Sequence, residues 1–127
     1  MKEILAIIRI NMVNKTKEAL AKEGFPSITC RKVLGRGKRK VDYELIGELL
    51  EGRELPMNSA GESVSEGHRL ISKRLFFMTV KDDEVKKVVD TIISVNKTGN
   101  PGDGKVFVLP VDEVVRVRTG EKDEVAL

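Results

Sequence analysis

A chain of 127 residues has room for one domain with a single modest core, so no second module needs to be sought. Lys and Arg number 23 against 20 Asp and Glu, a net charge of +3 that is too even to argue for a nucleic-acid protein and informs only where charge is local. The single cysteine, Cys30, can form neither an internal disulfide nor a metal cluster, and no apolar run approaches the ~20 residues that cross a bilayer, so a soluble cytoplasmic chain without membrane insertion is expected.

Residues 3–10 alternate, with Ile4, Ala6, Ile8 and Ile10 on one side and Leu5, Ile7 and Arg9 on the other. Apolar character on both faces marks a central strand. Asn14 is placed to N-cap a helix running to about Glu23, with Gly24 as its left-handed stop. Phe25-Pro26 turns the chain into a second strand, about Ser27 to Leu34, where Cys30 is expected as a buried thiol.

From Arg36 to about Arg69 no period is sustained, and Gly47, Gly52, Pro56, Gly61 and Gly67 punctuate a polar loop. Within it, Tyr43 to Leu50 has the composition of a transient helical turn. A loop this long in a compact domain is usually functional or disordered. Leu70 to Val80 reads as a third strand, and Asp82 or Asp83 as the cap of a second helix. That helix carries the stripe Val85, Val88, Val89, Ile92, Ile93. Val106 to Leu109 and Val114 to Val117 supply two more short strands.

The order β-α-β-β-α-β is that of an α+β ferredoxin-like sandwich, one antiparallel sheet with both helices on one face. The other sheet face must still be covered, which points to oligomerisation through the sheet.

The chemistry concentrates in Thr98-Gly99-Asn100-Pro101-Gly102-Asp103-Gly104-Lys105 and in Arg116-Val117-Arg118-Thr119-Gly120-Glu121. Gly102 and Gly104 allow a tight turn and close backbone approach, so that N–H groups converge on an anion. Lys105 adds a point charge, and Arg116 and Arg118 add planar forks expected to project from one strand face. Together they suit polyphosphate. The spacing is neither the P-loop nor the dinucleotide pattern, and a purely structural turn is the alternative reading. Asp103, between two glycines, is expected to bond its own turn backbone rather than act as a base. Arg36, Lys38, Arg39 and Lys40 form a basic run that by itself reads as a solvated or nucleic-acid-binding patch. The lone His68 reads as a solvated loop residue. Phe76, Phe77 and Met78 read as core or pocket wall.

The opening MKEILAIIR, Thr29, the Gly35-Arg36-Gly37-Lys38 turn, the glycine cradle and RVRTGE occur in an order and spacing that closely resembles the PII family of nitrogen-regulatory signal proteins. The resemblance covers nearly every residue outside about Val41 to Leu70. It implies a non-enzymatic, trimeric sensor: one PII domain over 1–127, with a T-loop at about 36–69, a nucleotide-binding glycine loop at about 97–105 and a C-terminal strand and tail at about 111–127. It places ATP or ADP in a cleft between subunits. The residues implied there are Thr29, Gly37, Lys38 and Arg39 near the T-loop root, with Thr79, then Gly102, Asp103, Gly104 and Lys105 of the cradle, and Arg116 and Arg118.

For 2-oxoglutarate the resemblance implies Arg39, Lys73 and Gly102, with Mg²⁺ bridging the keto acid and the nucleotide. Family members commonly have glutamine, a metal-coordinating side chain, where Arg39 stands. Arginine has no lone pair to offer a cation, so the protein ligands of the metal are unknown here. Either Arg39 pairs with a carboxylate directly or the chain responds chiefly to nucleotide. The loop length, the FPSITC segment and the GRGK start look most like the second of the paired PII proteins encoded beside nitrogenase genes in methanogenic archaea. That implies a homotrimer or a mixed oligomer with a partner PII protein, and the nitrogenase molybdenum-iron component as target. Control of an ammonium channel or of glutamine synthetase is the alternative.

Overall fold

A computed structural model describes residues 1–38 and 70–127. The chain divides into two compact units, Met1–Val33 with Lys73–Leu127, and Leu34–Ser72. Most of the second unit, including the expected helical turn at Tyr43 to Leu50, His68, Arg39 and Lys40, lies outside the described residues. Its described parts are the chain leaving the second strand, Leu34 to Lys38, and the start of the third, Leu70 to Ser72.

Strand β1 spans Lys2–Ile8, helix α1 Val13–Lys22, β2 Thr29–Gly35, β3 Ile71–Val80, helix α2 Val85–Asn96 and β4 Lys105–Pro110. The four strands form one sheet in the order β2-β3-β1-β4, and β1 runs antiparallel to both its neighbours. This is the ferredoxin-like sandwich expected from the sequence, each half skipping one strand through its helix. In the register, Ile4 stands opposite Met78 on one side and Val108 on the other, and Leu5 opposite Phe77 and Phe107.

The core lies between the sheet and the helices. It is built of Ile4, Ala6 and Ile8 from β1, Phe76, Met78 and Val80 from β3, Leu20 from α1 and Val88 and Ile92 from α2. Full burial of an aliphatic side chain is worth ~1.5–3 kcal/mol, so this alternation in β1 and β3 fixes which face takes the helices. Thr16 and Asn96, both buried, add a polar pair that joins α1 to α2: the Asn96 amide donates to the Thr16 hydroxyl at 3.0 Å. Leu5, Ile7, Leu75 and Phe77 lie on the opposite sheet face, only half-buried, beside the exposed Phe107.

Local details correct several expectations. Asn14 does not cap α1 but lies inside it, because a 3₁₀ turn at Ile10–Met12 leads into the helix. Backbone bonds within that turn already occupy the first amides, Met12 N–H donating to the Arg9 carbonyl at 3.1 Å. Gly24 does end the helix, at φ +93°, and the Phe25 N–H reaches back to the Leu20 carbonyl at 2.8 Å as in a Schellman closure. Neither Asp82 nor Asp83 caps α2. Asp82 instead accepts from the amino terminus at 2.8 Å, while the Glu84 carboxylate takes the Lys81 N–H at 3.0 Å. Ile93, expected in the buried stripe, is 45% exposed.

Cys30 is exposed, not buried, because β2 is an edge strand with a neighbouring strand on one side only among the described residues. Val114 to Val117 does not form a ladder strand. A single bridge pairs Val115 with Lys122, and the turn between them closes with Gly120 at φ +72°. The segment thus pairs with its own continuation, leaving Val117 fully exposed. No helix among the described residues is long and apolar enough to cross a membrane.

Candidate functional site

Helix α2 ends at Asn96, and the residues from Lys97 to Gly104 return the chain to the head of β4. Asp103 organises this loop. Its carboxylate accepts from the Thr98 hydroxyl at 2.5 Å, the Thr98 N–H at 2.8 Å and the Gly99 N–H at 3.0 Å. Arg9, at the end of β1, adds an ion pair to the same carboxylate at 2.6 Å. These donors hold the Asp103 carboxyl well below the usual carboxylate range, the Thr98 hydroxyl and amide contributing most and Arg9 and Gly99 after them. The reading of Asp103 as a turn-bonding residue is correct. The two N–H groups it takes are therefore not open to an exogenous anion, which leaves the Gly102–Lys105 end of the loop for that role.

Two strands, β1 and β3, hold that end in place. Arg9 donates a second bond to the Pro101 carbonyl at 3.1 Å, and the Lys73 ammonium on β3 donates to the Gly102 carbonyl at 2.9 Å. Gly104, at φ +117°, lies so close to β1 that an added Cβ would stand 1.9 Å from the Ile7 carbonyl oxygen. Gly102, at φ +96°, keeps open a spot that a Cβ would fill 3.3 Å from Arg9 Nη2 and 3.6 Å from Lys73 Nζ. An anionic group entering there would meet two cations. Burial, followed by the charge of Arg9, lowers the Lys73 pKa, and Asp103 offsets part of that.

The loop forms one end of a cleft of about 370 Å³ whose walls are Ile7, Val89, Ile93 and Val106, with Asn96 and Lys105 among its polar groups. An apolar cleft with a few convergent polar groups is the usual form of a small-ligand site. Among the described residues no group of three or more His, Cys, Asp or Glu could hold a metal ion.

The structure thus brings Lys73, Gly102, Asp103, Gly104 and Lys105 together. Arg9 joins them and was missed by sequence reasoning, although a charge closing an otherwise apolar strand was visible. Thr79 sits on β3 opposite Glu3, half-buried, and Thr29 opens β2, exposed. Gly37 and Lys38 follow β2 in the second unit, and Arg39 lies outside the described residues. Arg116 and Arg118 do not share a strand face. Arg116 pairs with Glu121 at 2.8 Å and donates to the Val125 carbonyl at 3.0 Å, whereas Arg118 lies on the exposed turn. No hydrogen bond or ion pair among the described residues joins either to the glycine loop.

Comparison with known proteins settles the family. The family model described as nitrogen regulatory protein P-II matches residues 1–121. The chain belongs to the P-II family. Its curated relatives include the nitrogen fixation nifHD region GlnB-like protein 2 of Methanothermococcus thermolithotrophicus, 44% identical over all of this chain and 98% of that protein. The corresponding nifHD1-region protein of Methanosarcina barkeri is 43% identical over all of this chain and 99% of its own. The nitrogen regulatory protein P-II of Pyropia yezoensis is 37% identical over the full length of both. Among solved structures, Arabidopsis thaliana PII bound to citrate superposes with a TM-score of 0.72 at 32% identity, covering 99% of this chain and 91% of that one. This P-II chain is thus similar both to nitrogen-fixation-region members and to a plant one.

Proposed function

We propose that this P-II chain is a non-enzymatic sensor that binds ATP or ADP in clefts between subunits of a trimer. It reads 2-oxoglutarate and moves its long T-loop, about 36–69, to regulate nitrogenase. The observation that carries the reading is the Gly102–Lys105 end of the loop, with two positive-φ glycines, Lys105 and the flanking cations Arg9 and Lys73, at the end of an apolar cleft. The apolar opposite sheet face, and the lack of any hydrogen bond or ion pair between Arg118 and the loop among the described residues, support a cleft completed by a neighbouring chain, which would lend Arg116 and Arg118 while Thr29, Thr79, Gly37, Lys38 and Arg39 complete its edge. A homotrimer and a mixed oligomer with a partner PII protein both satisfy this.

The open spot at Gly102 between Arg9 and Lys73 suits a carboxylate of 2-oxoglutarate, with Arg39 as a further partner. Among the described residues no group of three or more His, Cys, Asp or Glu could hold a metal ion, and in this reading Mg²⁺ arrives on the nucleotide phosphates. Moving a two-state arm from 1:99 to 99:1 takes ~5.5 kcal/mol of differential affinity. Several charge-assisted bonds at ~1.5–3 kcal/mol each reach that total.

Titration calorimetry with ATP tests the site. Lys105→Ala and Arg118→Ala are each expected to weaken binding by about tenfold or more, the loss of one charge-assisted contact. Reassembled mixtures of the two variants should regain part of the binding, because some clefts then combine the intact residue of each. Unchanged affinity in both variants would refute the site, and no recovery on mixing would refute the shared cleft.

The nitrogen-fixation-region relatives favour nitrogenase as the target. The chain with a PII partner should inhibit the molybdenum-iron component when 2-oxoglutarate is scarce, and 2-oxoglutarate with ATP should release it. Removal of 41–67 should abolish inhibition while sparing nucleotide binding. Capture of an ammonium channel in place of nitrogenase would select the alternative target.

A further inference from the structure

We infer that Asn96, held by Thr16, positions the glycine loop, and so sets the affinity of the site at the far end of that loop. The anion-binding half of this inference rests on the function proposed above; the positioning half does not.

Asn96 is the last residue of α2 and stands two residues before Thr98, the first residue clasped by Asp103. It is 5% exposed, and its amide donates to the Thr16 hydroxyl at 3.0 Å and to the Ile92 carbonyl at 2.9 Å. Thr16 is fully buried, and its hydroxyl donates a hydrogen bond to the Met12 carbonyl at 2.7 Å. The exit of α2 is thereby tied to the first turn of α1, 80 residues away in sequence. After Asn96 the backbone leaves the helix at once, with Lys97 extended at φ −70° and ψ 119°.

A fixed exit point matters because the ties that the strands make to the loop act at its far end. Arg9, Lys73 and the Gly104 approach to Ile7 all act on Pro101 to Gly104. Asn96 is the matching anchor at the near end. The bond is not the cheapest way to join two helices. The Asn96 side-chain oxygen Oδ1 is buried and has no hydrogen-bond partner among the described residues, a desolvation cost that an apolar residue would not incur. What the amide adds over an apolar contact is direction, since a hydrogen bond fixes the rotation of the helix end whereas packing of methyl groups tolerates slippage.

The test uses the full chain and two kinds of variant. Thr16→Val removes the hydroxyl at constant volume, and Thr16→Ser retains it. Amide hydrogen exchange at Thr98 and Gly99 is followed without nucleotide, beside ATP affinity and the thermal midpoint. Thr16→Val should speed exchange at those two amides by roughly tenfold relative to the middle of α2 and weaken ATP several-fold, and Thr16→Ser should restore both. Should the single variant fold poorly, the apolar pair Thr16→Val with Asn96→Leu removes both partners together and so avoids orphaned polar groups. The same loop loosening is expected there with the thermal midpoint retained. Loop exchange unchanged in the folded variants would overturn the inference, leaving the pair a helix contact only. Loosened exchange in a protein whose wild type does not bind ATP would uphold the positioning and overturn the nucleotide reading instead.

Discussion

Gly104→Ala is expected to be the most damaging single-atom-scale change in the molecule. The new methyl would lie 1.9 Å from the Ile7 carbonyl oxygen and 3.1 Å from its carbon, both backbone atoms of the middle strand that cannot swing aside. The residue also sits at φ +117°, which an L side chain resists. Pairing of β1 with β4 begins at Ile7 and Lys105, so either the loop retreats or the ladder opens at its first rung. Overpacking and backbone strain together predict a loss of about 2–5 kcal/mol in urea unfolding, accompanied by loss of anion binding. Gly120→Ala is the control: φ is also positive there, at +72°, but nothing lies within 4 Å of the added methyl. It should cost only the left-handed penalty, about 1–2 kcal/mol. Wild-type stability and affinity in Gly104→Ala would show that the loop is not pressed against β1 in solution.

Asp103→Ala is the second large effect, and it acts on order rather than on volume. The carboxylate is the shared acceptor for Thr98, Gly99 and Arg9, so its removal unclasps the near end of the loop and takes one of Arg9's two bonds from the far end. Amide protection at Thr98 and Gly99 should vanish, and anion affinity should fall by roughly tenfold or more. Asp103→Asn, which keeps one acceptor oxygen, should fall between. The pH dependence has a definite sign. A carboxylate whose folded pKa is depressed contributes fully above its unfolded value of about 3.9 and loses that contribution only as pH drops through the folded value. Loop protection should therefore persist at about pH 4, where an ordinary aspartate is half protonated, and fail only in stronger acid. Loss of protection already between pH 6 and about 5 would contradict this arrangement of bonds.

Much of this architecture was legible in the sequence because period and backbone special cases are local signals. The alternation in Ile4 to Ile8, the stripe through Val88 and Ile92, and the glycines at 24, 102 and 104 each state a requirement within a few residues of themselves. The turn-bonding role of Asp103 followed from its neighbours in the same way. What escaped the sequence depends on residues far apart in it. Arg9 meets Asp103 across 94 positions, and Asn96 meets Thr16 across 80. Nothing in the spacing announces either pair. Cys30 looked buried because its flanks alternate, but burial also requires a neighbour on that side, and β2 is the sheet edge. Asn14 has the right side chain for a cap and yields to a backbone turn that does the same work one step earlier. Val114 to Val117 has strand-forming residues, yet Gly120 folds it onto Glu121 and Lys122 before it can join the main sheet.

The two arginines of RVRTGE read as a pair in the sequence, but the hairpin divides their labour. Arg116 already spends its fork on Glu121 and on carbonyls of the last residues, Val125 and Leu127, and so acts as a rivet that fastens the tail to the turn. Arg118, two positions on, makes no hydrogen bond or ion pair among the described residues and is the hand left open to a visitor. Replacing the rivet would loosen everything downstream of Val115 whether or not any ligand is near, so lost affinity in an Arg116 variant measures the integrity of the hairpin as much as a missing contact. The same holds for any tag fused after Leu127, which would pull on that fastening from the other side; a label at the opposite end of the chain would still disturb the bond between Met1 and Asp82, but would leave the arginines alone.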